Sequence, residues 1–237
     1  MRALILATRN KHKVAEIRSI LGSEFSYHSL DDLPLAPEVI EDSDSFAGNA
    51  QKKALELAHW ILRTETTRGM GFEGIDSNES IFVLADDSGL EVDALNGAPG
   101  VHSARFAAID SGSPGNSPDA DNNAKLLRLL NEVPMENRSA RFRCVLALAS
   151  IPSQIQSRET DRTAQDTNQI HTEIFEGSCE GHIGNAPSGD GGFGYDPLFI
   201  PDGFTQAFAE LGDPIKNTIS HRSKALSKLR QHLCRER

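Results

Sequence analysis

Short apolar runs alternate with longer amphipathic ones along this chain. Residues 3–7 (ALILA) are apolar and bounded by polar residues, which predicts a buried strand. From Lys11 to Leu21 the apolar positions Val14, Ile17 and Leu21 recur at helical spacing, and Gly22 closes the element. A second helix is expected over residues 45–62, with Ala50, Leu57, Ala58 and Ile61 facing inward and Ser45 or Asp44 as its N-cap. Residues 81–85 (IFVLA) read as a buried strand ending directly on Asp86-Asp87-Ser88-Gly89, with a short strand following at 90–94. Further along, the pattern predicts a helix over 121–132, strands over 141–150 and 174–183, a short apolar piece at 198–200 and a final helix over 224–233.

Polar, aperiodic stretches separate these elements. Residues 31–45 carry Pro34 and Pro37 and read as a loop with at most a short strand, and 63–80 and 153–172 read as lengthened loops, the latter at a hairpin tip. Strands and helices mix without strict alternation. The expectation is one α/β domain over residues 1–237, built on a mixed central sheet flanked by helices with a smaller lobe.

Composition narrows the function. A formal net charge of -10 argues against broad nucleic-acid binding, which needs a basic face. No apolar stretch reaches the roughly 20 residues of a membrane span, and the N-terminal run is too short for a signal peptide, so the expected location is cytoplasmic. The three cysteines, Cys144, Cys179 and Cys234, lie far apart, as suits incidental thiols in a reducing compartment.

Three segments have candidate chemistry. Adjacent strand residues point to opposite sides, so one of Asp86 and Asp87 can face a site while the other braces the loop. Such hard oxygen ligands suit Mg²⁺, and the same residues are equally at home in an acidic turn. Gly189-Asp190-Gly191-Gly192-Phe193-Gly194 matches G-x-G-x-x-G, but Tyr195-Asp196-Pro197 follows where a dinucleotide fold needs a helix, which excludes that reading. The segment reads either as a tight turn or as a cup for a base. Lys216, His221 and Arg222 form a cationic set near a helix start that Ser220 can cap, suited to phosphate or to an acidic base edge, or else a solvated basic end. Neither a G-x-x-x-x-G-K-[ST] phosphate loop nor a G-x-S-x-G nucleophile elbow is present.

Taken in order, these segments resemble the non-canonical purine nucleoside-triphosphate pyrophosphatases, the Ham1-like or inosine triphosphatase family. The likeness runs from Leu4 to Leu229 through Thr8-Arg9-Asn10-Lys11-His12-Lys13, through Glu41 with Phe46-Ala47-Gly48-Asn49-Ala50, through Leu84-Ala85-Asp86-Asp87-Ser88-Gly89, and through Gly192-Phe193-Gly194-Tyr195-Asp196-Pro197 with Ile219-Ser220-His221-Arg222. The resemblance implies an inosine triphosphatase-like fold and hydrolysis of ITP, dITP or XTP to the monophosphate and pyrophosphate with Mg²⁺, by a homodimer. It implies that the loop containing Thr8, Arg9, Asn10, Lys11, His12 and Lys13 holds the triphosphate with Lys53, and that Asp87 is the proton acceptor. Glu41 and Asp87 are the implied metal-associated carboxylates, and Ser88 contacts substrate. Phe193 stacks on the base, Gly194, Tyr195 and Asp196 complete the pocket wall, and Lys216, His221 and Arg222 read the base and its 6-keto oxygen. The chain departs from the family at Gly48, where a glutamate is usual, and at Arg9 and His12, where small residues are common. Two rivals are a Maf-type pyrophosphatase acting on modified pyrimidine nucleotides and a nucleotide binder that has lost catalysis.

Overall fold

The computed structural model describes residues 2–68, 81–112, 115–151 and 170–235. Six strands form one sheet in the order β2-β1-β3-β4-β5-β6: β1 (Arg2–Leu6), β2 (Phe25–Ser29), β3 (Ile81–Val92), β4 (Ser139–Ile151), β5 (Thr172–Ile183) and β6 (Phe199–Pro201). β1 pairs in parallel with both β2 and β3, while β5 and β6 are antiparallel, so the sheet is mixed as expected. The chain divides into two compact units of similar extent, one of residues 1–87 and 145–175, the other of residues 88–144 and 176–237.

In the first unit, β1 is fully apolar on its interior positions and leads directly to α1 (Lys11–Leu21). Asn10 caps this helix: its Oδ1 accepts from the His12 and Lys13 backbone N–H groups at 2.9 and 3.1 Å. Gly22 ends it as expected, its N–H reaching the Arg18 carbonyl at 3.0 Å. β2 escaped the sequence pattern because Phe25-Ser26-Tyr27-His28-Ser29 has little apolar alternation. It is held by parallel pairing along β1, from Arg2↔Phe25 to Leu6↔Ser29.

The second helix, α2, runs Phe46–Arg68, with Ala50, Leu57, Ala58 and Ile61 all buried and Ser45 Oγ accepting from the Gly48 N–H at 3.2 Å. It therefore continues six residues into the stretch expected to be a loop. Propagating an existing helix adds one hydrogen bond per residue fixed, so even an aperiodic polar segment can extend it. The rest of that expected insertion, 69–80, and most of the second, 152–169, lie outside the described residues; Thr172 already belongs to β5.

β3 corrects a second expectation. It does not end at Asp86 but runs unbroken through Asp86-Asp87-Ser88-Gly89 to Val92. β1 pairs with it only from Ile81 to Leu84, and β4 is its other neighbour in the sheet; the ladder outweighs the turn preference of Asp, Ser and Gly.

The second unit is built on Phe142 of β4, Phe199 of β6 and Phe208, whose ring centroids lie 4.7 to 6.1 Å apart, with Leu90, Leu126, Leu130 and Tyr195 in the same cluster. Its helices are the short turn α3 (Ala108–Ser111), α4 (Asp119–Leu129), α5 (Phe208–Ile219) and α6 (His221–Arg235). Gly212 interrupts α5 with φ 73° and Pro214 stands beside it, breaker residues that mask a segment in which Phe208, Leu211, Ile215 and Ile219 recur at helical spacing. Ser220 caps α6, accepting from the Ser223 N–H at 3.1 Å, so this helix begins three residues before the expected start. Among the described residues no helix is long and apolar enough to cross a membrane.

Candidate active site

The first cluster lies within the first unit, where β1, α1, α2 and β3 bring together residues from four separate stretches. Thr8 follows β1, and its Oγ1 accepts from the Asn10 N–H at 3.1 Å. The Thr8–Lys13 turn therefore forms the start of α1, where exposed Arg9, Lys11 and His12 surround a helix N-terminus that favours an anion. Lys13 turns back and forms an ion pair with the Asp86 carboxylate.

Lys53 of α2 is buried, 9 % exposed, and its ammonium donates to Glu41 Oε1 at 2.9 Å and to the Asp86 carbonyl at 2.9 Å, with Asp87 Oδ1 at 3.4 Å. Burial works against its positive charge, but Asp87, Glu41 and Asp86 more than offset this and raise the Lys53 pKa. Asp87 is the converse case. Burial holds its pKa above the ordinary carboxylate value, while Lys53, Lys13 and a hydrogen bond from Asn49 pull the other way.

Asn49 is fully buried and donates from Nδ2 to Asp87 Oδ2 at 3.1 Å, while its Oδ1 accepts from the Ser43 N–H at 3.0 Å. It thus ties the segment following Glu41 to the carboxylate of Asp87. Asn49 did not stand among the candidate side chains. The adjacent pair Asp86-Asp87 was visible in sequence; that each carboxylate takes its own lysine was not.

Hard oxygens from Glu41, Asp86 and Asp87 converge on one positive atom, Lys53 Nζ. This donor set suits a hard divalent cation that takes one or two carboxylates and completes its shell with phosphate and water. Among the described residues no three acidic, His or Cys side chains form an all-protein cage.

The second cluster lies within the second unit. Phe193, half-buried, has Lys216 Nζ 4.5 Å and Arg222 Cζ 5.8 Å from its ring centroid. Lys216 donates to Asp196 Oδ2 at 2.6 Å, and Arg222 reaches Ser88 Oγ at 3.4 Å. Lys216 and Arg222 are 2 % and 1 % exposed, so this is no solvated basic end. Asp196 also accepts from the Phe193 N–H at 2.8 Å and fixes the loop. Only glycine fits at 192: φ is +74° there, and a Cβ would stand 2.2 Å from the Asp196 carboxylate.

Gly194 is held on both sides by α4, its N–H donating to Asp119 at 2.6 Å and its carbonyl accepting from Asn123 at 2.9 Å. Asp119 and Asn123 had no motif to reveal them. Tyr195, expected on the pocket wall, instead buries its ring in the core and donates its hydroxyl to the Ser103 carbonyl at 2.8 Å. His221 is buried with its ring stacked on Phe142 at 4.8 Å.

The fold and these two clusters define a nucleotide-handling α/β protein, and comparison with known proteins gives the family. A sequence model of the Ham1 family matches residues 4–232, and the chain belongs to that family. Among curated relatives, the chain is 46% identical to a dITP/XTP pyrophosphatase of Desulforamulus reducens, covering 98% of this chain and 96% of that protein. It is 43% identical to a dITP/XTP pyrophosphatase of Geobacter sulfurreducens, covering 98% and 97%. Among solved structures, a HAM1 protein from Coxiella burnetii superposes with a TM-score of 0.72 at 33% identity, covering 99% of this chain and 100% of that one.

Proposed function

We propose that this chain hydrolyses non-canonical purine nucleoside triphosphates, ITP, dITP and XTP, to the monophosphate and pyrophosphate. The observation that carries this reading is the Phe193 ring with two buried cations, Lys216 and Arg222, against it. An aromatic face stacks on a base, and both side chains are pure hydrogen-bond donors that suit the 6-keto oxygen of hypoxanthine or xanthine. Adenine presents an amino group there and leaves such donors unpaired, a penalty on the order of 10⁴ in favourable cases. Guanine shares the 6-keto group, so these donors do not reject GTP.

Thr8, Asn10, Lys13 and Lys53 take the triphosphate in this reading, aided by the N-terminal end of α1. Asp87 orients and deprotonates the water that attacks the α-phosphorus, with pyrophosphate as leaving group, and Asn49 holds its second oxygen in place. Glu41 and Asp87 would hold Mg²⁺, which supplies phosphate-charge neutralisation and polarisation of a phosphoryl oxygen when bound. The homodimer implied by the family likeness belongs to the same proposal.

Pyrophosphate release from ITP, XTP, GTP and ATP, compared in wild type and Asp87→Asn, tests the reading. Turnover of ITP and XTP far above ATP, falling at least about 100-fold in the variant, is the expected result. A second reading, binding without turnover, draws on Gly48, where the family has a carboxylate. Tight ITP binding with no pyrophosphate released would establish it and sink the catalytic assignment.

A further inference from the structure

Glu41 Oε1, Asp87 Oδ1 and the Asp86 carbonyl are the oxygens best placed for a metal in the first cluster, and Lys53 Nζ stands within 2.9 to 3.4 Å of all three. The ammonium is therefore sited where a cation would sit, attached to the protein by its own stem. Glu41 lies in a stretch without regular structure, while Lys53 is in the interior of α2 and Asp87 in the interior of β3. The lysine stem is covered, so the charge has little water to retreat into.

We infer that Lys53 is a resident cation that competes with the divalent metal for Glu41 and Asp87, so that metal and triphosphate bind together and neither completes the site alone. The inference rests on the metal-dependent reading of this cluster. Two positive charges cannot share these oxygens at ion-pair distance without strong repulsion, because buried charges are poorly screened. A divalent ion arriving alone must therefore drive the ammonium off three oxygen partners before it can use them. A triphosphate would supply acceptors in their place: its oxygens would take Lys53 and leave the carboxylates to the metal. In the absence of nucleotide the same ion pairs keep the two carboxylates close and neutralised, so the site does not fall apart through their mutual repulsion. Lys53 is thus a positioning residue for metal entry as well as a phosphate ligand, and the two roles are successive positions of one ammonium.

The test is Mn²⁺ binding to the full chain without nucleotide, measured by titration calorimetry and by the electron paramagnetic resonance signal of free Mn²⁺. Removing the charge while keeping the stem, Lys53→Met, is expected to tighten Mn²⁺ binding at least about tenfold, because the competitor is gone. Adding Asp87→Asn to that variant should abolish the gain, which locates it at this carboxylate. Adding the α,β-methylene analogue of ITP should tighten Mn²⁺ binding in wild type far more than in Lys53→Met. Unchanged or weaker Mn²⁺ binding in Lys53→Met overturns the inference, as does a gain that survives Asp87→Asn. Should circular dichroism show Lys53→Met unfolded, Lys53→Gln takes the same measurement, since it removes the charge and keeps a neutral polar group beside the same oxygens. The metal readout is independent of turnover. If Asp87→Asn hydrolyses ITP normally, the catalytic reading fails while the Mn²⁺ comparison still decides the role of Lys53.

Discussion

At Asp87, burial and charge pairing oppose one another. Burial raises its pKa above the ordinary carboxylate range, and Lys53, Lys13 and the Asn49 amide only partly counter this. A carboxyl with a raised native pKa binds its proton more tightly folded than unfolded, so ionising it costs stability as pH rises through that value. Asparagine mimics the uncharged form. Asp87→Asn is therefore expected to melt at or above the wild-type Tm at neutral pH, by circular dichroism, even as pyrophosphate release collapses. A Tm several degrees lower would instead show that the pair with Lys53 outweighs desolvation. Gain of stability on loss of activity is what a strained functional carboxylate should display. Asn49 has no such tension: both ends of its amide are engaged inside the unit, one on Asp87 and one on Ser43.

Helix starts carry much of the site, and each depends on a few short side chains. In the first turn of α2, a Cβ placed on Gly48 would stand 2.1 Å from Ser43 Oγ and 2.9 Å from Ser43 Cβ. The departure from the family glutamate is thus matched by a serine that fills the space where that side chain would begin. Gly48→Ala should lose the helix-propensity gain of up to about 1 kcal/mol that Gly→Ala normally brings, and pairing it with Ser43→Gly should recover it. Thermal unfolding of the single and double variants measures this, and a stabilised single variant would show that the segment around Ser43 yields freely. At α6, Ser220 satisfies the Ser223 N–H and sets the first turn that presents His221 and Arg222. Ser220→Ala should cost about 1 kcal/mol, roughly 2–4 °C in Tm for a chain of this size. Its KM for ITP should rise more than its kcat falls, since in the proposed reading the cap serves the end that meets the base rather than Asp87. Equal losses in both parameters would count against that division of labour.

For the whole molecule, the homodimer proposed with the function predicts a sedimentation mass of about twice 25.8 kDa, and a stable monomer at micromolar concentration would contradict it. The net charge of -10 is compatible with polyphosphate binding because the cations that matter are gathered locally, at the α1 start, at Lys53 and at Lys216 with Arg222. How much of this was legible beforehand follows from the range of the forces involved. Period and capping are local, so the sequence by itself determined β1, α1 from Lys11 to Leu21 with Gly22 closing it, the buried face of α2 and the central apolar core of β3. Its ordered motifs also carried the family likeness that the comparisons bear out. Long-range pairing decided the rest. β2 exists because β1 offers it a parallel edge, and β3 continues through two aspartates past the end of its pairing with β1 at Leu84, with β4 as its other sheet neighbour. Tyr195 went to the core because its ring is worth more buried there with the hydroxyl satisfied by Ser103. That Lys53 stands among Glu41, Asp86 and Asp87 required α2, β3 and the intervening loop to meet, and no local pattern encodes a meeting of segments so far apart in the chain.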